Sequence, residues 1–90
     1  MHNLKTLPEF FLPILDGKKR FELRKNDRDF HVGDMLLLRE WSEGTGYTGR
    51  ELLVSVTYLL EGQPWLSEGY ACMSIKPEPM NFTGTNTTGN

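Results

Sequence analysis

Apolar residues recur at helical spacing near the start of the chain, at Leu7, Phe10, Phe11 and Ile14. Residues three and four apart share one face of a helix, so these positions predict a short helix. Thr6 and Glu9 have the spacing of a capping box, with Thr6 as the N-cap, and Gly17 offers a left-handed stop. Pro13 lies inside the segment and removes a hydrogen bond at a cost of about 3 kcal/mol, so we expect a kink and an irregular last turn.

After the helix the pattern changes to a period of two, which is typical of a strand. Phe21 and Leu23 point to one side of this first predicted strand. The charged side chains Arg20, Glu22 and Arg24 point to the other side. In a half-buried strand the apolar side faces the core, so we expect Phe21 and Leu23 to be the buried pair.

Three further strands are predicted, over residues 35–41, 51–60 and 70–75. The second carries Val54, Val56, Tyr58 and Leu60 on one predicted face. A polar connection is expected at residues 25–29, a turn at 32–34, a glycine-rich loop at 42–49, and a turn and loop at 62–69. One helix followed by at least four strands predicts an α+β protein with a small mixed barrel.

Length and composition indicate one domain and a tail. Residues 77–90 are rich in proline, glycine, asparagine and threonine, so we expect a disordered tail after a domain of residues 1–76. Cys72 is the single cysteine, which leaves no intrachain disulfide, and we expect it to be a buried packing residue in a reducing cytoplasm. No apolar run approaches the length of about 20 residues that a membrane span needs, and no signal-peptide pattern is seen.

Charge is distributed unevenly along the 90 residues, whose formal net charge is −2. Residues 17–31 sum to +3, whereas residues 39–90 sum to −3. This balance excludes a general polyanion binder with a strong, salt-dependent grip. It leaves room for one positive patch that holds a phosphate or a carboxylate.

Several kinds of chemistry find no support in the sequence. His2 and His31 stand in no metal-ligand spacing with Cys72, so neither a metal nor a cofactor is expected. The chain also contains no phosphate-binding loop, nucleophile elbow or dinucleotide fingerprint.

Gly17, Lys19, Glu22 and Arg24 reproduce the G-x-K-x-x-E-x-R signature of the ASCH domains, which belong to the PUA-like superfamily of small β-barrels. The chain resembles in particular a small stand-alone branch that is catalogued as a domain of unknown function and is found mainly in bacteria and phages. The resemblance covers residues 2–76 and includes the segments HNLKTLPEFF, RKNDRDFHVGDMLLLREW, GYTGRE and EGYACMSI. It implies a mixed β-barrel with one short helix beside a cleft, and ASCH domains are proposed to bind RNA or nucleotide-like ligands in that cleft.

The signature residues are the first candidates for ligand binding. Lys19 supplies a mobile point charge, Glu22 can accept from an exocyclic amine, and Arg24 offers a planar fork for a phosphate or a base edge. Further candidates in or after the charged stretch are Asn26, Arg28, Tyr47 and Arg50. Two structural alternatives stay open, because Glu22 and Arg24 can pair with each other and Asn26 can cap a turn.

Aromatic residues near strand ends or in loops provide candidate stacking platforms for a base. They are Trp41, Tyr47, Trp65 and Tyr70. Tyr47 is the preferred candidate, because Arg50 follows it three residues later. Trp41 is better explained as a core residue.

The sequence therefore predicts a binding module for RNA or a nucleotide, and it leaves the oligomeric state open with a monomer favoured. One alternative is a small amidohydrolase acting on a modified nucleoside such as acetylcytidine. ASCH-like enzymes of that kind use the motif lysine and a threonine nucleophile. Lys19 matches the lysine, but Glu22 occupies the threonine position, so only a different use of Glu22 as general base and Lys19 as oxyanion partner stays open. A protein-interaction factor using the acidic strands is the second alternative.

Overall fold

The protein is described by a computed structural model that covers residues 1–79, and it is built from one short helix and one curled sheet. The elements are β1 (His2–Thr6), α1 (Pro8–Leu15), β2 (Phe21–Lys25), β3 (Met35–Ser42), β4 (Gly46–Glu61) and β5 (Tyr70–Pro77). The sheet has the strand order β1-β3-β4-β5-β2. β1 runs parallel to β3 and the other pairs are antiparallel, so the sheet is mixed. This five-stranded half-barrel with a helix agrees with the predicted small α+β barrel-like fold.

The core fills the concave side of the sheet and the face of α1 that packs on β3. Its members are Leu4, Phe11, Ile14, Phe30, Leu36, Leu38, Val54, Val56, Met73 and Ile75. Only Phe11 and Ile14 of the predicted apolar helix face are buried, whereas Leu7 and Phe10 are 39% and 45% exposed. The exposed pair lies instead beside a surface cleft.

The predicted helix start is wrong, because Thr6 ends a strand. β1 pairs with β3 in the register Leu4 with Leu38 and Thr6 with Glu40. α1 therefore begins at Pro8 after an extended Leu7, and no side chain caps it. The long-range strand pairing buries Thr6 and overrides the local capping-box pattern.

The end of the helix follows the prediction more closely. Gly17 has a φ of 79°, a left-handed conformation that glycine adopts without steric cost. The backbone N–H groups of Lys18 and Lys19 both donate to the carbonyl oxygen of Pro13, at 2.9 and 3.0 Å. This irregular last turn places Lys19 two residues before β2 begins.

β2 alternates as predicted but presents the opposite face to the interior. Glu22 is 4% exposed, whereas Phe21 and Leu23 are 45% and 51% exposed. In the antiparallel register Glu22 lies opposite Met73, whose side chain is buried on the concave side. The expectation that Phe21 and Leu23 are the buried pair is therefore wrong, because the interior beside β2 is a charged cleft.

The predicted glycine-rich loop at residues 42–49 is mostly strand. Only residues 43–45 form the turn, and Tyr47 in β4 pairs with Trp41 in β3. Further along β4 the register with β5 shifts between Val56 and Tyr58. Beyond that irregularity Tyr58 is 61% exposed and Leu59 packs against the core, so the predicted apolar face holds only up to Val56.

The last strand extends slightly past the predicted domain boundary. Pro77 ends β5, and Glu78 donates its backbone N–H to the Leu53 carbonyl at 2.8 Å and accepts from Ser55 Oγ at 2.6 Å. Cys72 is half-buried rather than buried. The predicted disordered tail falls mainly on residues 80–90, which lie outside the described residues. Within residues 1–79 no helix has the length and apolar character needed to cross a membrane.

Candidate ligand-binding cleft between two sheet edges

β1 and β2 are the two outermost strands of the curled sheet, and side chains connect them across a cleft. Arg24 donates from Nη2 to the carbonyl oxygen of Lys5 at 2.8 Å. Arg28 donates from Nη1 to the carbonyl oxygen of Asn3 at 2.9 Å. Both acceptors belong to β1. Two arginine side chains therefore close the half-barrel between β1 and β2, which are not paired by backbone hydrogen bonds in the described sheet.

The cleft contains a pocket of about 580 Å³. Its lining includes five cationic side chains, namely Lys5, Lys19, Arg24, Lys25 and Arg28. Only two carboxylates accompany them, those of Glu22 and Asp27, so the formal charge of the lining is +3. Four aromatic residues, Phe10, Phe21, Phe30 and Tyr70, also line the pocket. A volume of this size falls in the range of about 300–1,000 Å³ that is usual for small-molecule sites.

Glu22 is the centre of an ion-pair cluster inside the pocket. Lys19 Nζ lies 3.3 Å from Glu22 Oε1, and Arg24 Nε lies 2.5 Å from Glu22 Oε2. The Glu22 side chain is only 5% exposed, so its charge is balanced by two cations as a buried carboxylate requires. The alternative in which Glu22 and Arg24 pair with each other is thus observed, and both groups still line the pocket.

The two cations of this cluster are held in place by oxygen atoms of the protein. Lys19 Nζ also donates to the Phe21 carbonyl at 2.8 Å and lies 4.6 Å from the centre of the Phe21 ring. Arg24 Nη2 also donates to Thr6 Oγ1 at 3.3 Å. Among the contacts of residues 1–79, Arg24 uses Nε and Nη2, and Nη1 remains available for an acceptor on a ligand.

Comparison with protein families gives a match over most of the chain. Residues 1–75 match the family described as "Domain of unknown function (DUF3850)". The chain belongs to this family. The DUF3850 chain is also 38% identical, over 68 residues, to the "Uncharacterized 12.9 kDa protein in GpA 3'region" of Escherichia phage P2. That alignment covers 76% of this chain and 62% of the phage protein, so the chain spans less than two thirds of the relative's length.

The whole pocket of this DUF3850 domain falls within the matched residues 1–75. Four of the predicted ligand-binding residues meet there, namely Lys19, Glu22, Arg24 and Arg28. Asn26 lies just outside the lining and organises the loop that carries Arg28. Its Oδ1 accepts from the Phe30 backbone N–H at 2.9 Å, and its Nδ2 donates to Glu61 at 3.0 Å. This is the turn-stabilising role that the sequence left open for Asn26.

Tyr47 and Arg50 lie outside the pocket lining of the DUF3850 domain. The Arg39 guanidinium lies 4.0 Å from the centre of the Tyr47 ring. Arg50 binds both carboxylate oxygens of the buried Glu40, at 2.8 and 2.9 Å. Hydrogen bonds from Arg50 and from Thr48 hold the pKa of Glu40 below its usual value of 4.5.

The structure adds pocket residues that sequence reasoning missed. Lys5 and Thr6 enter the lining because β1 is a strand rather than the approach to a helix. The signal available in the sequence was alternation along β1, where Leu4 and the β-branched Thr6 are separated by the charged Lys5. Of the candidate stacking residues, Tyr70 lines the pocket, whereas Trp41 and the 70% exposed Trp65 do not.

Proposed function

We propose that this DUF3850 domain is a PUA-like, ASCH-related module that binds a nucleotide unit in the cleft between β1 and β2. The nucleotide is either free or part of a single strand of RNA. The observation that carries the proposal is the pocket that combines clustered cations with aromatic side chains in one site. The signature residues Lys19, Glu22 and Arg24 meet in this pocket, and the curled mixed sheet is compatible with a PUA-like barrel.

Charge supports an anionic ligand at this place. The lining has a formal charge of +3, whereas the whole chain has −2, so the positive potential is concentrated at the cleft. A concave site lined by one sign of charge raises the local concentration of ligands of the opposite sign. Arg28 and Lys25 are exposed and therefore reachable by a phosphate from solvent.

Aromatic side chains support a planar group on the same ligand. Phe21 and Tyr70 are 45% and 39% exposed although both line the pocket. A base stacked on such a ring contributes about 1–3 kcal/mol, and this contribution depends little on the base. A nucleotide needs both hydrogen-bond donors for its phosphate and a stacking surface for its base, and the pocket combines the two.

Binding is favoured over the amidohydrolase alternative, because Lys19, the group that would stabilise an oxyanion, donates instead to Glu22 and to the Phe21 carbonyl. The test is an equilibrium titration of the protein with mononucleotides and a short single-stranded RNA. We expect saturable binding that Arg28→Ala weakens about tenfold or more, as for the loss of one charge-assisted hydrogen bond. Lys18→Ala is the matched control, since Lys18 is an exposed cation of the same stretch outside the pocket lining.

Lys18→Ala should bind like the unchanged protein. The proposal fails if neither a mononucleotide nor the RNA binds at millimolar concentration. It also fails if Lys18→Ala and Arg28→Ala weaken binding equally, because the attraction would then be a general effect of charge.

A further inference from the structure

We infer, resting on the proposed nucleotide-binding function, that the nucleotide enters the pocket base first. In this arrangement Glu22 accepts from an exocyclic amine of the base and Arg28 holds the phosphate at the mouth. The domain then prefers nucleotides of cytosine, adenine or guanine to those of uracil. The inference follows from the depth of the charged groups in the pocket and from the hydrogen-bonding atoms that they leave available to a ligand.

Charged groups lie at two depths in the pocket. The side chains of Glu22, Lys19 and Arg24 are 5%, 17% and 26% exposed, which places this cluster at the inner end. Lys25 and Arg28 are exposed and lie at the mouth. A nucleotide has one charged end and one uncharged end, so the two depths distinguish its two orientations.

The inner end is unfavourable for a phosphate. Glu22 presents a carboxylate there, and two negative groups in a partly desolvated site repel each other. Both inner cations are already committed to oxygen atoms, Lys19 to Glu22 and the Phe21 carbonyl, and Arg24 to Glu22 and the Lys5 carbonyl. The N–H groups that they retain, Arg24 Nη1 among them, belong to side chains already paired with Glu22, so a phosphate that accepts from them also meets the Glu22 carboxylate.

The inner end is favourable for an amino group. An ionised carboxylate is an acceptor only and has about four lone-pair positions. Lys19 and Arg24 occupy one position on each oxygen of Glu22, so further N–H groups can be accepted. Cytosine offers an amine where uracil offers a carbonyl oxygen, and a carbonyl oxygen beside a carboxylate is repelled by it instead of bonding to it.

The mouth is favourable for the phosphate. Arg28 is exposed, and in the described contacts it uses only Nη1, which donates to the Asn3 carbonyl. Phe21 and Tyr70 line the same pocket as the inner and the outer charged side chains. They can therefore contact the ring of a base that lies between the two groups of charges. A base held in this way leaves its phosphate at Arg28 and Lys25.

The experiment compares cytidine monophosphate, uridine monophosphate, cytidine and inorganic phosphate by calorimetry on the unchanged protein. We expect cytidine monophosphate to bind about tenfold more tightly than uridine monophosphate, the effect of one hydrogen bond to a charged group. Cytidine should bind more weakly than its monophosphate, and inorganic phosphate should not displace cytidine. A short oligocytidylate measured beside the mononucleotide distinguishes RNA from a free nucleotide as the source.

Two variants assign the ends of the ligand. Glu22→Gln should bring the cytidine-to-uridine affinity ratio close to one, because the amide presents both a donor and an acceptor. Arg28→Ala should remove most of the difference between cytidine monophosphate and cytidine, and Lys18→Ala should change neither ratio. An amide spectrum of Glu22→Gln verifies that the variant folds, and the comparison on the unchanged protein needs no variant.

Uridine monophosphate binding as tightly as cytidine monophosphate would overturn the inference. So would inorganic phosphate displacing cytidine, since that result puts the anion at the inner end. In both cases nucleotide binding itself would stand. Absence of binding by every nucleotide and by the oligocytidylate would instead overturn the proposed function and this inference with it.

Discussion

Arg24 donates from Nη2 to the Lys5 carbonyl oxygen at 2.8 Å and so joins the two outermost strands of the sheet. The same side chain neutralises Glu22 through Nε. One arginine therefore both closes the half-barrel and balances the carboxylate at the inner end of the cleft. Stability and ligand binding are coupled at this residue.

Arg24→Ala should lower the free energy of unfolding by about 1–3 kcal/mol, because it leaves the buried Glu22 with one cation and the Lys5 carbonyl without its donor. Arg24→Lys should recover part of this loss, since one ammonium group cannot reproduce the guanidinium fork. Arg20→Ala, at an exposed cation outside the pocket, is the control and should stay within about 0.5 kcal/mol. Urea unfolding measures all three, and an unchanged Arg24→Ala would contradict the bridging role.

The orientation of β2 is tested by two substitutions, one in β2 and one in the neighbouring strand β5. Leu23 is 51% exposed, so Leu23→Thr should cost less than about 1 kcal/mol. Met73, opposite Glu22, is fully buried, so Met73→Ala should cost about 2–5 kcal/mol. Denaturant midpoints of the two variants measure these losses of stability. A larger loss for Leu23→Thr than for Met73→Ala would mean that β2 presents its other face to the core.

Local spacing explains why part of the site could be predicted from the sequence. Lys19, Glu22 and Arg24 lie within six residues, so the turn at Gly17 and a period of two suffice to bring them together. Alternation separates the two faces of a strand but does not say which one is inward. At β2 that choice depends on the pairing of Glu22 with Met73, a contact between residues far apart in the chain.

Long-range pairing also explains what sequence reasoning missed. Thr6 follows capping-box spacing, yet the parallel pairing of β1 with β3 makes it a strand residue and brings Lys5 to the pocket. Arg50 stands near Tyr47 in the sequence, but the β3–β4 hairpin directs it to Glu40 instead. No local pattern contains the partner in either case.

The pH dependence of stability should report the buried Glu40. Hydrogen bonds from Arg50 and Thr48 lower its pKa in the folded protein, so its contribution is complete above 4.5 and is lost as the pH falls below that value. Glu40→Gln should therefore be less stable than the unchanged protein at neutral pH, with a difference that shrinks on acidification.

Unfolding midpoints between pH 3 and pH 7 test this behaviour, with Glu43→Gln in the exposed turn as control. Some acid sensitivity should persist in Glu40→Gln, because the pKa of Asp34 is lowered by the His31 backbone and that of Glu78 by Ser55. A stability difference that stays constant over this range would show that Glu40 is not linked to acid unfolding.

Salt should weaken binding of a short single-stranded RNA in proportion to the phosphates contacted. The logarithm of the affinity should fall with the logarithm of salt by roughly 0.7 for each phosphate contact. Arg28→Ala should reduce this slope by about 0.7, the contribution of one phosphate contact, and Lys18→Ala should leave the slope unchanged. A slope that does not change in Arg28→Ala would show that Arg28 does not contact a phosphate.

The most direct test of the central claim is an amide chemical-shift titration of isotope-labelled protein with cytidine monophosphate. A nucleotide in the cleft predicts saturable shifts that cluster on Lys19, Glu22, Arg24 and Tyr70, with Tyr47 and Arg50 unmoved. Shifts confined to the hairpin that carries Tyr47 and Arg50, or no shifts at millimolar ligand, would contradict the assignment of the cleft as the binding site.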